Sequence, residues 1–345
     1  MKYKLYTTSK KAWRAMIEEI KKAKKSIYIE MYIFVDDVSE KYNFIGALRD
    51  RAKDGVNIVI VADSFGSSEL RSSAIKELRD SGIEVLFFSK WLRITHRKIM
   101  IIDEKIAFLG GVNIKKNSID WLDLQIKIVG PKLAKNVLRS FAYTYKMSGG
   151  KNEHIISRGR KNILKTIKAQ FLEHWPNHKI FALQAYYQEK IISAQNKIII
   201  VTPYFTPPRW LMALFEGAIA RGVKIEIFIP NNTDIKILNR INRAYIKKLS
   251  YLKIGFYAQS KMNHAKVLIV DDKEALIGSQ NLDVLSFKRS IESGVFIKDK
   301  MLLEQLRLVV DAWRKNSIKF SGESRSLNPL EKFFLWIIKI FYSIL

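Results

Sequence analysis

"THRKIMIIDEKIAFLGGVN", residues 95–113, decides how this chain is read. Two apolar runs, Ile-Met-Ile-Ile and Ala-Phe-Leu, flank the polar Asp-Glu-Lys, which is the pattern of two short strands joined by a tight turn. Strand packing accounts for the aliphatic residues but not for His96, Lys98 or Asn113. "NHAKVLIVDDKEALIGSQN", residues 263–281, repeats the arrangement. Both copies read H-x-K-x4-D-x6-G-[GS]-x-N. A lone His-x-Lys carries little weight. Here two of only five histidines head identical long patterns, which a purely structural role does not explain.

The repeat extends well beyond this motif. Phe34 corresponds to Phe205, Gly55 to Gly222, His96 to His264, Asn113 to Asn281 and Asp123 to Glu292, at offsets of 171, 167, 168, 168 and 169. Such near-constant offsets indicate a duplicated domain. Each half runs helix (10–24; 180–194), strand (26–34; 197–205), helix (43–53; 209–221), strand (56–63; 223–230), helix (69–81; 235–250) and strand (83–89; 252–258). The motif hairpin, another strand and a closing helix (131–147; 301–315) follow. Continuous Ile/Val/Phe runs between helices predict strands buried on both faces of a layered α/β domain. The expected organisation is a first half at 1–150, a polar, basic link at 151–178, a second half at 179–320 and a separate tail at 321–345.

Alternation along a strand puts His96 and Lys98 on one face, and likewise His264 and Lys266. If the halves pack about a pseudo-twofold axis, one cleft receives two imidazoles, two ammonium groups and two carboxamides, with the Ser279 hydroxyl on one side only. That inventory suits a phosphodiester. Lysines and asparagines hold non-bridging oxygens, one neutral histidine attacks phosphorus, and the other protonates the leaving alcohol. Asp123 and Glu292, ten and eleven residues past Asn113 and Asn281, are placed to fix a histidine's tautomer. Asp103 and Asp271 end apolar runs and read as structural, binding backbone or a basic group. The chemistry calls for no metal and no cofactor. The chain has no cysteine, which excludes disulfides, thiolate zinc sites and cysteine nucleophiles.

At these residues the sequence resembles the phospholipase D superfamily, whose signature is this duplicated pattern. "YIEMYIFVDD", "VADSFGS", "WLDLQIKIVGP", "VTPYFTPP" and "IGSQNLD" add a similarity to bacterial cardiolipin synthases across residues 10–315. Gly110-Gly111 in one copy with Gly278-Ser279 in the other is typical of that branch. The resemblance implies two αβα layered domains with one active site between them, and a two-step reaction through a phosphohistidine. His96 would be the nucleophile, and His264 the general acid and then the base. One phosphatidylglycerol would donate a phosphatidyl group to a second, or phosphatidylethanolamine would be the partner lipid. Glycines 110, 111 and 278 with Ser279 would line the substrate. The chain departs from the family at Leu285-Ser286, where Arg-Ser is usual, and at Ser290-x-Glu292, where Asn-x-Glu is usual. It resembles the shorter type, without the two leading transmembrane helices of many synthases. A hydrolytic phospholipase D, a metal-independent nuclease and a non-catalytic binder of anionic lipid or nucleic acid use the same features and stay open as alternatives.

The formal net charge is +27, which favours polyanions such as an anionic bilayer or nucleic acid. No obligate nucleic acid is expected, and no motif encodes an oligomeric state. The sequence ends "NPLEKFFLWIIKIFYSIL", residues 328–345, where 11 of the last 13 residues are apolar or aromatic. This is shorter than the roughly 20 residues that span a bilayer and suits an interfacial helix carrying Phe333, Trp336, Ile337 and Phe341. Packing on the protein's own core is the alternative. Lys236, Arg240, Arg243 and Lys247 form a basic helical stripe, read either as a solvated face or as a headgroup contact. Together these features predict a peripheral protein on the cytoplasmic face of the bacterial cell membrane, acting on anionic phospholipid.

Overall fold

The structure is a computed structural model. It describes residues 2–37, 40–159, 171–320 and 327–344, with only the backbone for 337–344. The chain resolves into two units, residues 1–173 with 291–295, and residues 174–290 with 296–345.

The first unit carries β1 (Lys2–Thr8), α1 (Ser9–Lys22), β2 (Ser26–Met31), α2 (Phe44–Lys53), β3 (Asn57–Asp63), α3 (Ser72–Asp80) and β4 (Glu84–Phe88). Then come β5 (Ile94–Thr95), the motif hairpin β6 (Lys98–Ile102) and β7 (Ile106–Gly110), β8 (Leu122–Val129), α4 (Pro131–Met147) and α5 (Glu153–Gly159). The sheet order is β1-β8-β7-β6-β2-β3-β4. β2, β3 and β4 are parallel, and the pairings from β2 outward to β1 are antiparallel. β2 is buried along its whole length because helices cover both faces. Ile27, Ile29 and Met31 join Trp13, Met16 and Ile20 of α1. From the opposite face Tyr28 meets Phe141 of α4, with ring centroids 5.5 Å apart.

The second unit begins within β9 (Phe171–Trp175) and continues through β10 (Ile180–Phe181), α6 (Ala182–Ser193), β11 (Lys197–Val201), β12 (Phe205–Thr206), α7 (Arg209–Ala220) and β13 (Lys224–Pro230). There follow α8 (Lys236–Lys248), β14 (Gly255–Gln259), the second hairpin β15 (Val267–Val270) and β16 (Glu274–Gly278), β17 (Leu282–Asp283) and α9 (Val284–Lys288). β18 (Ser290–Ile297), α10 (Lys300–Lys315), β19 (Ser317–Lys319) and α11 (Pro329–Ile344) complete it, with residues 291–295 of β18 clustering in the first unit. The strands run β16-β15-β11-β13-β14-β19. This repeats β7-β6-β2-β3-β4 of the first unit, including two parallel pairings beside two antiparallel ones.

Both hairpins turn on the motif aspartates. Asp103-Glu104 and Asp271-Asp272 all take φ between 51° and 53°, as primed hairpin turns require at both central positions. Asp103 then accepts from the backbone N–H groups of Lys24, Lys25 and Ser26, and Asp271 from those of Gln195, Asn196 and Lys197. Each carboxylate thus ties its hairpin to the start of the neighbouring strand.

Several elements escaped the sequence reading. β1 completes the edge of the first sheet, and the expected link at 151–178 contains α5 and β9. Residues 160–170 of that link and 321–326 of the tail lie outside the described residues. α11 packs on α8. Lys247 donates to Glu331, and the Arg240 guanidinium lies 5.7 Å from the centre of the Phe334 ring. Two members of the basic stripe therefore hold the tail helix. Phe333 and Trp336 stack on one another and remain exposed. The side chains of Ile337 and Phe341 lie outside the described ones.

Candidate functional site

In the first unit, the carboxyl ends of β2 and β7 and the amino ends of β6 and β8 fall at one end of the sheet. His96 sits two residues before β6, so its side chain stands at that end. Its backbone N–H donates to Ile291 O at 2.9 Å, and Nδ1 lies 3.0 and 3.2 Å from the two Glu292 oxygens. A carboxylate only accepts, so Nδ1 carries the proton. Glu292 is fully buried, and its charge is matched to this ring rather than to water. Tyr32 meets the imidazole edge-on, with centroids 4.7 Å apart.

Lys98 is fully buried. Its Nζ donates to His96 O at 2.5 Å and lies 4.8 Å from the Tyr32 ring centre. Gly110 then lets the chain pass β8. At φ +150° a side chain there would put its Cβ 2.2 Å from Leu124 O, where Gly111 N donates at 2.9 Å. Asn113 follows, with its backbone carbonyl held by the Trp13 indole N–H at 2.8 Å. Among the described residues its buried Oδ1 has no hydrogen-bond partner. A buried amide oxygen without a partner costs stability. Asp123 is buried at the same end of the sheet and accepts from Leu124 N at 2.7 Å.

The second unit repeats the geometry in its own frame. His264 and Lys266 precede β15, and Lys266 Nζ donates to His264 O at 2.5 Å. Tyr204 approaches His264 edge-on at 6.3 Å. Gly278 N donates to Lys266 O at 3.1 Å, and Ser279 is buried. Asn281, like Asn113, buries an Oδ1 without a partner among the described residues. Burial alone would raise the Asp271 carboxyl. Its three backbone donors, at Lys197, Gln195 and Asn196, outweigh that and hold it below the ordinary range.

The structure thus gathers His96, Lys98, Asn113, Asp123 and Glu292 in the first unit, and His264, Lys266, Ser279 and Asn281 in the second. Four further residues went unnoticed in the sequence reading. Tyr32 and Tyr204 occupy equivalent places, just before Phe34 and Phe205, and that equivalence was available as a signal. Asp63 closes the apolar run of β3 and accepts from the N–H groups of Phe65, Gly66 and Thr95. Burial pushes its carboxyl up to about 6, against the pull of those donors and of Lys98. Arg97, between the two motif residues, is fully buried on the opposite side of the strand. It grips Glu30 with Nε at 3.0 Å and Nη2 at 2.8 Å, and also binds Ser140 and Thr144. The second copy has Ala265 there, so this ion pair belongs to one half alone.

Residues 16–145 and 187–313 match the family described as "Cardiolipin synthase, PLD-like domain". A cardiolipin synthase of Clostridium perfringens is 32% identical over 366 aligned positions, covering 94% of this chain and 76% of its own. The major cardiolipin synthase of Bacillus subtilis is 29% identical over 353, covering 94% and 71%. The crystal structure of a phosphatidylserine synthase of Haemophilus influenzae superposes with a TM-score of 0.78 at 15% identity, covering 99% of this chain and 93% of that one, a likeness of fold.

Proposed function

Because the chain belongs to the phospholipase D-like cardiolipin synthase family, a family of phosphatidyl-transferring enzymes, we propose that it makes cardiolipin by joining two phosphatidylglycerols with release of glycerol, or phosphatidylglycerol and phosphatidylethanolamine. His96 Nε2 attacks phosphorus, and the bond from phosphorus to the headgroup glycerol breaks. The leaving oxygen takes a proton from His264. A phosphatidyl-histidine remains. The glycerol hydroxyl of the acceptor lipid then gives its proton to His264, its oxygen attacks phosphorus, and the P–N bond breaks.

The observation that carries this reading is the Glu292–His96 hydrogen bond at 3.0 Å. A carboxylate on Nδ1 fixes the nucleophilic tautomer and offsets the positive charge the ring acquires as the P–N bond forms. Lys98 and Lys266 supply cations for the non-bridging oxygens, and the Asn113 and Asn281 side chains supply amide N–H groups for the phosphate and carbonyl oxygens for the acceptor hydroxyl. Ser279, with the glycines at 110, 111 and 278, borders the substrate. Asp123 has a supporting role, as its burial beside the motif suggests.

We further propose peripheral attachment to the anionic inner surface of the cell membrane. The +27 charge and the exposed Phe333–Trp336 pair on α11 support it. The test is incubation with phosphatidylglycerol vesicles and mass spectrometry of the products. Cardiolipin with one glycerol released per cardiolipin formed is expected. Phosphatidic acid alone would replace the reading with hydrolysis, and no phospholipid product would overturn it.

A further inference from the structure

Two loops leave the same end of the first unit's sheet at which His96 stands. β3 and β4 run parallel with Asp63 opposite Phe88, so the loops that follow them emerge side by side. The first carries Phe65, 74% exposed, and the second Trp91 and Leu92, 87% and 49% exposed. Exposed apolar side chains grouped at one end of a fold, unlike scattered ones, mark a contact surface.

Neither loop is loose at its root. Ser64 N donates to Phe88 O, Ser67 N to Asp63 O, and the Ser67 hydroxyl to Tyr32 O. Gly66 lies so close to Tyr32 that a Cβ there would meet its carbonyl at 2.3 Å. In the second loop, Arg93 N donates to Lys90 O at 3.1 Å across Trp91 and Leu92. Leu92 takes φ +53°, a left-handed conformation that a leucine adopts only under constraint. The fold therefore holds these tips outward. Lys90 and Arg93 flank the apolar pair, and the loop ends three residues before His96.

We infer that Phe65, Trp91 and Leu92 form an interfacial contact, separate from the C-terminal helix, that seats the His96 end of the first unit on the surface of an anionic phospholipid bilayer. The inference rests on the proposed reaction with membrane lipid. Aromatic tips flanked by cations are suited to the headgroup boundary of such a bilayer, where each ring meets acyl chain and each cation meets phosphate. A phosphodiester lies at that same depth, so the contact shortens the path from the bilayer to His96.

The chain's lack of cysteine makes the test clean. Phe65→Cys and Trp91→Cys, each labelled with an environment-sensitive fluorophore, report on one position apiece. Lys53→Cys, an exposed position at the end of α2 that leads into the amino end of β3, is the control. With phosphatidylglycerol vesicles the labels at 65 and 91 are expected to blue-shift and to be quenched by brominated acyl chains, while the label at 53 is not. The combined variant Phe65→Ser, Trp91→Ser, Leu92→Ser is expected to partition about tenfold more weakly onto those vesicles. It should retain turnover of detergent-dispersed phosphatidylglycerol. Labels at 65 and 91 that stay aqueous while the protein sediments with vesicles would overturn the inference and leave the proposed reaction standing. A shift produced by duplex DNA and not by vesicles would also overturn it. Loss of all phospholipid turnover in the parent protein would instead overturn the reaction.

Discussion

Replacing Glu292 by glutamine tests the proposed chemistry most directly. The change keeps the size of the side chain and removes the charge 3.0 Å from His96 Nδ1. During attack on phosphorus the ring becomes cationic, so the carboxylate stabilises the transition state more than the neutral ground state. With an effective dielectric of about 20, opposite unit charges at that 3.0 Å separation attract by about 5.5 kcal/mol, which is a ceiling. A hydrogen bond to a charged group contributes about 1.5–3 kcal/mol, which is a floor. The range corresponds to about tenfold to about 10⁴-fold in rate, and about 10²–10³-fold is expected for E292Q. The assay is turnover of detergent-dispersed phosphatidylglycerol, with kcat and KM measured separately and the melting temperature followed in parallel. The loss should fall on kcat, because glutamine's carbonyl still accepts from Nδ1 and ground-state binding is little altered. E292Q with kcat within threefold of the parent, folded to the same temperature, would refute the assignment of Glu292 to the nucleophile.

Asn113→Ala and Asn281→Ala are expected to lower kcat/KM by about 10- to 100-fold without lowering stability, because each removes a buried oxygen that has no partner among the described residues. A fall in melting temperature with unchanged kinetics would mean that these amides are structural. Asp271→Ala should destabilise the second unit by about 1–3 kcal/mol in urea titration, since three backbone donors lose their acceptor. The Asp271 carboxyl is held low in the folded protein, so its contribution is present above the ordinary value of 3.8 and is lost as pH falls below it. No change in the acid limb of the stability curve would contradict this. Asp63 behaves in the opposite sense. Its carboxyl is raised from 3.8 to about 6, so the folded state binds the proton more tightly and stability falls as pH rises through that window. The difference in stability between the parent and Asp63→Asn should shift across those pH values, and a flat difference would refute the assignment. Deletion of residues 328–345 should weaken sedimentation with anionic vesicles more than it reduces activity on detergent-dispersed substrate. Unchanged sedimentation would rule out α11 as an anchor.

The sequence by itself determined what depends on local pattern and on repetition. Continuous aliphatic runs at matching offsets specified the strands, because a strand covered on both faces has no polar face to alternate with. The 168-residue spacing of the two motifs specified the duplication and singled out His96, Lys98, His264, Lys266, Asn113 and Asn281 as candidates among many polar residues. Asp103 and Asp271 were readable as structural because each closes an apolar run at a turn. Tertiary structure decided the rest, where the partner comes from far along the chain. Asp123 and Glu292 lie at nearly equal distances past their asparagines, so sequence offered no way to match carboxylate to imidazole. The path of residues 291–295 into the first unit brings Glu292 onto His96, 196 positions away. The charge of Arg97 says nothing of what lies beneath the sheet. It is buried because Glu30, Ser140 and Thr144 together satisfy the guanidinium. The tail and the basic stripe were each legible as amphipathic helices. That one covers part of the other follows from Lys247 meeting Glu331 and Arg240 meeting Phe334, contacts fixed only once α8 and α11 are folded side by side.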